Sequence, residues 1–103
     1  MTWKKVRLAR NPCAYILASR ARGTLYIGLT ADLVRRVWQH RRAQGSGFTH
    51  RYRVHELVWY EAHETIESAI SRETSLKAWR RLWKIRLIDA TNPQWRDLYP
   101  DIL

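Results

Sequence analysis

The sequence predicts an α+β fold, because short apolar runs typical of strands come first and segments with helical spacing dominate the second half. The runs at residues 13–18 and 24–28 are separated by five residues that end in Gly23, which indicates a β-hairpin. A third run at residues 55–62 is rich in aromatic and branched side chains. It is therefore a third strand candidate.

The first helix is predicted to begin at Ala31, where the apolar residues change to helical spacing. Thr30 is available as its N-cap, and Asp32 lies in the first turn. The helix should stop near residues 45–47, where Gly, Ser and Gly follow one another. Its apolar positions are Leu33, Val34, Val37 and Trp38.

Two more helices are predicted in the second half of the chain, the first with Thr65 as its N-cap. The second should end at Asn92 and Pro93, because proline cannot continue a helix. The tail that follows is expected to pack Trp95, Leu98 and Tyr99 back onto the body. The apolar positions are Ile66, Ala69, Ile70 and Leu76 in the first of these helices, and Leu82, Trp83, Ile85, Leu87 and Ile88 in the second.

The chain carries a formal net charge of +10, from 19 Lys and Arg against 9 Asp and Glu. Phosphate backbones are the favoured partners, because each neutralised phosphate releases condensed counterions. An anionic membrane surface is the weaker alternative, since the charge is spread over several elements rather than gathered on one terminal amphipathic helix. We therefore expect a nucleic-acid partner and no membrane.

Length and cysteine content narrow the class of protein further. The 103 residues fit one domain, 1–103. The single cysteine, Cys13, permits neither an internal disulfide nor a cysteine-based zinc site, which fits a reducing cytoplasm. The amino terminus shows no secretory signal, and no apolar run is long enough to cross a bilayer. We expect a cytoplasmic protein.

Glu73 is a carboxylate placed within the apolar spacing of a predicted helix. Its side chain should face the core or a cleft, where an unpaired charge would cost several kcal/mol. The ordinary explanation is a salt bridge to one of the many arginines. The more specific explanation is that Glu73 is a ligand for a hard divalent cation, which prefers carboxylate oxygen.

Arg36 and His40 are four residues apart on the first helix and so lie on one face. A guanidinium and an imidazole there could serve one phosphate, Arg36 through fixed charge and His40 through proton exchange. The alternative is a solvated basic helix face, since Arg35, Arg41 and Arg42 are neighbours.

Tyr15 and Tyr26 are phenols on the two strands of the predicted hairpin. They share a face of the sheet only if Tyr15 pairs with an even-numbered residue, which an even-length loop would give. The alternative is ordinary packing of half-buried tyrosines.

Taken in order, residues 13–15 read Cys-Ala-Tyr, residues 26–28 read Tyr-Ile-Gly, and Arg36, His40, Glu73 and an Asn-Pro-x-Trp segment at 92–95 follow. This series resembles the GIY-YIG nuclease superfamily and looks closest to its small standalone members. The first motif keeps only its tyrosine, and similar substitution is usual in those members. Some family nucleases also use an asparagine downstream of the glutamate, so the role of Asn92 stays open.

The resemblance implies a three-stranded antiparallel sheet flanked by helices, and cleavage of phosphodiester bonds with one divalent metal, Mg²⁺ or Mn²⁺. It makes Tyr15 the first-motif tyrosine and places Tyr26 in the second motif. Arg36 becomes the helix arginine, and His40 takes the position where members carry His or Tyr. Glu73 becomes the metal-binding glutamate, so these five residues are the expected catalytic set.

We therefore predict a metal-dependent endonuclease acting on DNA, with RNA not excluded, in repair or recombination. The alternatives are a non-catalytic nucleic-acid-binding module of the same fold and an adaptor whose basic face docks an acidic protein. Phe48, Tyr52 and Trp79 could stack on exposed bases, although such aromatics are more often core residues. The predicted phosphate contacts are Arg35, Arg41, Arg42, Lys77, Arg80, Arg81 and Lys84.

Overall fold

The computed structural model describes residues 11–42 and 47–103, and confirms the α+β fold with one three-stranded antiparallel sheet and helices around it. In chain order the elements are β1 (Cys13–Ala18), β2 (Leu25–Thr30), α1 (Leu33–Arg41), α2 (Gly47–Tyr52), β3 (Glu56–Ala62), α3 (Ile66–Ala78), α4 (Arg81–Thr91) and α5 (Tyr99–Ile102). None of the described helices is both long and apolar enough to span a membrane.

β1 is the central strand, and β2 and β3 pair with it antiparallel on either side. All of its residues are buried, which explains why this run is apolar throughout rather than alternating. Tyr15 pairs with Gly28 and Leu17 pairs with Tyr26 across a loop of six residues, 19–24. Because every second residue of a strand points to the same face, this register puts Tyr15 and Tyr26 on one face of the sheet.

The two faces of the sheet carry separate cores. The even-numbered residues of β1 pack in a core with Leu76 of α3 and Ile88 of α4. The odd-numbered residues, among them Tyr15, pack in a second core with Leu33 and Val37 of α1. The phenol of Tyr15 therefore lies on the face that α1 covers, whereas α4 lies across the opposite face.

The N-cap of α3 is Thr65 as predicted, and its side chain accepts a hydrogen bond from the Ser68 amide. The N-cap of α1 is Asp32 rather than Thr30, because the Asp32 carboxylate accepts from the Arg35 amide at 3.2 Å. Thr30 instead exchanges hydrogen bonds with the Asp32 backbone and tightens the approach to the helix. The prediction of the cap was therefore wrong by two residues.

The helix α1 also ends earlier than predicted, at Arg41, with Arg42 as its C-cap. Gly47 was expected in the loop after it, but instead begins the short helix α2, which no sequence pattern had indicated. The other two residues of the predicted stop, 45 and 46, lie outside the described part of the chain.

Five residues that were assigned to apolar faces are in fact exposed, among them Leu82 and Trp83 on α4, which are 52% and 49% exposed. Trp38 on α1 is 44% exposed, and Ile66 and Ile70 on α3 are 41% and 45% exposed. Helical spacing predicted the stripe, but only Ala69 and Leu76 of α3 reach the core. Fewer residues of α3 are therefore buried than its apolar spacing indicates.

The tail packs back onto the body, as predicted, and Asn92 is the residue that fastens it. Its amide nitrogen donates to the Val58 carbonyl at 3.1 Å and to the Arg96 carbonyl at 2.8 Å, while its oxygen accepts from the Arg96 amide. Trp95 is only 4% exposed and lies in the core with Ile88. The polar groups of Asn92 thus hold the carboxy-terminal segment against β3.

Candidate active site

The ring of Tyr15 lies directly over Gly28 on the neighbouring strand. A Cβ atom at Gly28 would come within 2.3 Å of the Tyr15 Cζ atom and 2.4 Å of its hydroxyl oxygen. No side chain larger than hydrogen fits there while the ring keeps this position. Since β2 is an edge strand, the glycine lets the phenol, which is only 1% exposed, lie across the hairpin towards the edge of the sheet.

His40 meets the hydroxyl of Tyr15 from α1, with 3.1 Å between Oη and Nε2. On its other side, Nδ1 lies 2.8 Å from the Thr49 hydroxyl of α2. His40 is fully buried, and its position one helical turn beyond Val37 explains why it points inward. Both ring nitrogens are thus engaged, which fixes the orientation of the imidazole.

Burial raises the pKa of Tyr15 to about 12, although a hydrogen bond with Arg36 favours the charged form. Burial also lowers the pKa of His40 to about 4, and electrostatic interactions with Arg36 and His55 act in the same direction. Both groups are therefore neutral at pH 7. A neutral imidazole beside a neutral phenol can accept the phenol's proton, provided that Nδ1 carries the ring's own proton towards Thr49.

Arg36 is half-buried on α1, and its Nη1 donates to the Gln39 side chain at 3.1 Å. It lies close enough to influence the pKa of both Tyr15 and His40. Of the basic residues on α1, it is thus the one that acts on both members of this pair. A phosphate bound at the Tyr15 hydroxyl would meet this guanidinium.

Tyr26 adds a third ring to those of Tyr15 and His40, and these three rings form the aromatic wall of the site. Its ring centroid lies 6.4 Å from that of Tyr15 and 5.3 Å from that of His40. Tyr26 is half-buried, so its ring is accessible from the edge of the sheet. The structure thus brings Tyr15, Tyr26, Arg36 and His40 together.

Glu73 reaches the same region from α3. Its side chain is 16% exposed, and its Oε2 atom accepts from the Lys77 ammonium at 2.9 Å, one turn further along the helix. The negative charge of Glu73 contributes to the raised pKa of Tyr15, which places it within electrostatic range of the phenol. The expected salt bridge therefore exists, but its partner is a lysine rather than an arginine.

The donor set suits a divalent cation that takes few protein ligands. Among residues 11–42 and 47–103, no group of three or more His, Cys, Asp or Glu side chains could hold a metal ion. Mg²⁺ is often bound through one or two carboxylates together with water and substrate phosphate oxygens, and Glu73 fits that mode. A cation there would compete with Lys77 for the carboxylate.

The residues predicted to contact phosphate fall into three groups, namely exposed arginines, basic residues that bind other groups of the protein, and the half-buried Lys84. Arg35 and Arg42 are exposed on and just after α1, and Arg80 is exposed between α3 and α4. Arg41, in contrast, pairs with Asp97, and its Cζ atom lies 4.5 Å from the Tyr99 ring centroid. Arg41 therefore binds the carboxy-terminal segment.

Two further members of that set are already engaged. Arg81 donates to the backbone carbonyls of Arg22 and Gly23 at 2.6 Å and caps the hairpin turn, and Lys77 pairs with Glu73. Lys84 is half-buried on α4.

Sequence reasoning missed Thr49, which is fully buried against His40. Nothing in the local sequence marks it, because its role depends on how α2 folds back over α1. Asn92, whose role the sequence left open, serves the tail: both of its side-chain polar atoms bond there.

The chain is similar to the UPF0213 proteins of Staphylococcus aureus strains Mu3, Mu50 and N315. Each is 41% identical to it over 66 residues, which cover 64% of this chain and 80% of the relative. No solved structure matches the chain. The family model for the GIY-YIG catalytic domain matches residues 11–86, a span that holds both tyrosine motifs, Arg36, His40 and Glu73. The chain therefore belongs to the GIY-YIG catalytic domain family, which is of nuclease type.

Proposed function

We propose that this protein is a divalent-metal-dependent endonuclease that hydrolyses phosphodiester bonds in DNA. The observation that carries the proposal is the hydrogen bond between the Tyr15 hydroxyl and the buried His40 imidazole, with Arg36 beside both. The Tyr15–His40 hydrogen bond provides a path for a proton, and Arg36 provides a positive charge for a phosphate at the same place. These are the two requirements of phosphodiester hydrolysis that side chains can supply.

Tyr15 receives the proton of the attacking water in this mechanism. With a pKa of about 12 the phenol is not ionised at pH 7, so it passes its own proton to His40 Nε2 as it takes one from the water. The oxygen of the water then bonds to phosphorus, and the bond to the leaving oxygen breaks. The Tyr15–His40 contact favours Tyr15 over Tyr26 as the group that meets the water.

Substrate binding prepares His40 for this role. The charge of Arg36 is one cause of the lowered pKa of His40. A phosphate that pairs with Arg36 offsets that charge, so the imidazole becomes a better proton acceptor when the substrate is in place. Arg36 also stabilises the additional negative charge that develops on the phosphate oxygens.

Glu73 is the residue that would hold the metal ion. When bound there, Mg²⁺ or Mn²⁺ supplies positive charge that stabilises the leaving oxygen. The exposed cations Arg35, Arg42 and Arg80 would hold the strand through its phosphates, without reading sequence. Recognition of this kind suits a cytoplasmic enzyme that acts on DNA shape, as in repair or recombination.

The test compares wild type with Arg36→Ala and Glu73→Ala on labelled duplex, branched and single-stranded DNA, in magnesium, manganese and chelator. Matched controls are Arg20→Ala, an exposed arginine of the hairpin loop, and Glu67→Ala, an exposed glutamate in the first turn of α3. We expect cleavage by wild type and both controls, and a loss of about 100-fold or more in the two site variants.

Equal cleavage by all five proteins would show that the site is elsewhere. Binding that falls steeply with salt, without cleavage in either metal and unchanged by Glu73→Ala, would instead identify a non-catalytic nucleic-acid-binding module. A nuclease-free preparation that bound an acidic protein and no DNA would identify an adaptor.

A further inference from the structure

An exposed aromatic pair, Phe48 and Tyr52, continues the aromatic wall of the site outwards. The ring centroid of Phe48 lies 6.0 Å from that of Tyr26 and 4.9 Å from that of Tyr52. Both residues are on α2, four residues apart and thus on one face of the helix. His40, Tyr26, Phe48 and Tyr52 therefore form a continuous row of rings from the buried imidazole to solvent.

The outer two rings are not core residues. Phe48 is 43% exposed and Tyr52 is 47% exposed, whereas Thr49, between them in sequence, is the buried residue of α2. The helix is thus held to the body by Thr49, while its two largest apolar surfaces stay in water. The exposed part of each ring, a little under half, gives the fold no burial energy and is available to a ligand.

The charges around the pair suit a nucleic-acid strand. The guanidinium of Arg51 lies 5.7 Å from the Tyr52 ring centroid, and Arg42 is exposed at the end of α1. Aromatic faces combined with nearby cations are the pattern by which proteins hold unpaired nucleotides, since rings stack on bases and cations meet phosphates. A base inside a duplex is already stacked on both sides, so it offers no free face to such a pair.

We propose that Phe48 and Tyr52 stack on an unpaired base next to the scissile phosphate, so that the site selects DNA that is single-stranded or locally unpaired at the cut. The inference rests on the proposed function for its scissile phosphate, and it adds the class of substrate. Tyr26 links the two parts, because its ring contacts both His40 and Phe48.

The direct test measures how much the bases contribute to binding, apart from the phosphates, and it needs no catalysis. Binding of oligothymidylate is compared by fluorescence anisotropy, in chelator, with that of an abasic oligonucleotide of equal length, which has the same phosphates and no bases. The proteins are wild type, the double variant Phe48→Leu with Tyr52→Leu, and Trp83→Leu. Trp83 is the matched control because it is 49% exposed and lies on α4, across the opposite face of the sheet. Its ring lies 6.0 Å from the guanidinium of Arg80, and because this proposed phosphate contact is present in all three proteins, any change in phosphate binding affects both oligonucleotides alike.

Wild type and Trp83→Leu are expected to bind oligothymidylate about tenfold or more tightly than the abasic strand, and the double variant to bind the two alike. Leucine keeps the apolar character at exposed positions, so the melting temperature should stay close to that of wild type. The inference is overturned if the double variant keeps the wild-type ratio, if wild type shows no preference for bases, or if Trp83→Leu is the variant that loses it.

Cleavage gives a second measurement that separates this inference from the proposed function. One labelled strand is presented alone, in a full duplex and in a duplex with a central unpaired bubble. The double variant should lose about tenfold in kcat/KM on the strand and the bubble, and change by less than about twofold on the duplex. An equal loss on all three substrates would overturn the inference, because the rings would then act only by supporting Tyr26. If wild type cuts none of the three substrates, the proposed function fails. The ratio of binding to oligothymidylate and to the abasic strand then decides alone whether Phe48 and Tyr52 stack on bases.

Discussion

The phenol of Tyr15 occupies the space that any side chain on Gly28 would need, with only 2.3 Å between the Tyr15 Cζ atom and the position of an added Cβ. The two residues are direct partners in the hairpin, so neither can move aside without disturbing the register. We expect Gly28→Ala to push the ring away from His40 and to lower the cleavage rate about 100-fold. The unfolding free energy should fall by about 1–3 kcal/mol.

Gly47 provides the control for that prediction. An added Cβ there would meet no atom within 4 Å, so Gly47→Ala should leave both the rate and the urea unfolding midpoint close to those of wild type. Both variants are measured by urea unfolding and by cleavage under saturating metal. Unchanged activity in Gly28→Ala would show that the position of the Tyr15 phenol is not required.

The neutral state of His40 should make stability depend on pH. Burial, assisted by Arg36 and His55, lowers its pKa from the ordinary 6.5 to about 4. Between these two values the unfolded chain holds a proton that the folded chain does not, so the unfolding free energy falls as the pH falls through this window. The full effect is about 3 kcal/mol, and it is complete below pH 4.

Urea unfolding from pH 7 to pH 4 checks this in wild type, His40→Gln and His50→Gln. Glutamine cannot take up the proton, so the difference in unfolding free energy between wild type and His40→Gln should shrink by about 3 kcal/mol towards pH 4. His50 is exposed and serves as the control, with a pH dependence like that of wild type. Parallel curves for wild type and His40→Gln would show that His40 is not held neutral.

The hairpin shows what the sequence can predict about this site. Period-two alternation decides which residues share a face only when the loop length is known. The predicted loop of five residues, 19–23, would place Tyr15 and Tyr26 on opposite faces, whereas β2 begins at Leu25 and the observed loop of six residues places them on one face. The inward position of His40, in contrast, follows directly from its helical spacing to Leu33 and Val37.

Other features depend on contacts between distant parts of the chain. Thr49 meets His40 only because α2 folds over α1, and Arg41 leaves the proposed phosphate surface only because Asp97, 56 residues later, pairs with it. The exposure of Ile66 and Ile70 likewise depends on how far α3 overlaps the sheet. Periodicity identifies an apolar face, but the neighbouring elements decide how much of it is covered.

Asn92→Ala should destabilise the protein without altering the chemistry. The substitution removes three hydrogen bonds and leaves the Val58 and Arg96 carbonyls and the Arg96 amide without this partner. We expect a loss of about 2–4 kcal/mol in unfolding free energy, because buried polar groups that lose a partner bear their desolvation cost. The kcat of the folded protein, measured well below its melting temperature, should stay within about twofold of wild type. A large fall in kcat with intact stability would instead give Asn92 a catalytic role.

Lys77 should compete with the metal ion for Glu73. The ion pair joins a lysine side chain that is 57% exposed to a glutamate side chain that is 16% exposed, so its contribution to stability should stay below about 1 kcal/mol. Removing the ammonium frees the carboxylate for a cation. We therefore expect Lys77→Ala to lower the half-saturating metal concentration by roughly two- to fivefold, with an unchanged melting temperature.

Calorimetric titration with Mn²⁺ measures this directly in the absence of DNA, and cleavage at saturating substrate measures it in the working enzyme. The saturating substrate matters because Lys77 is also a predicted phosphate contact, and its loss could weaken DNA binding separately. Lys84→Ala, on the next helix, should leave the metal titration unchanged, whereas Glu73→Gln should abolish it. Weaker metal binding in Lys77→Ala would contradict the competition, since it would mean that the ammonium orients the carboxylate for the cation rather than occupying it.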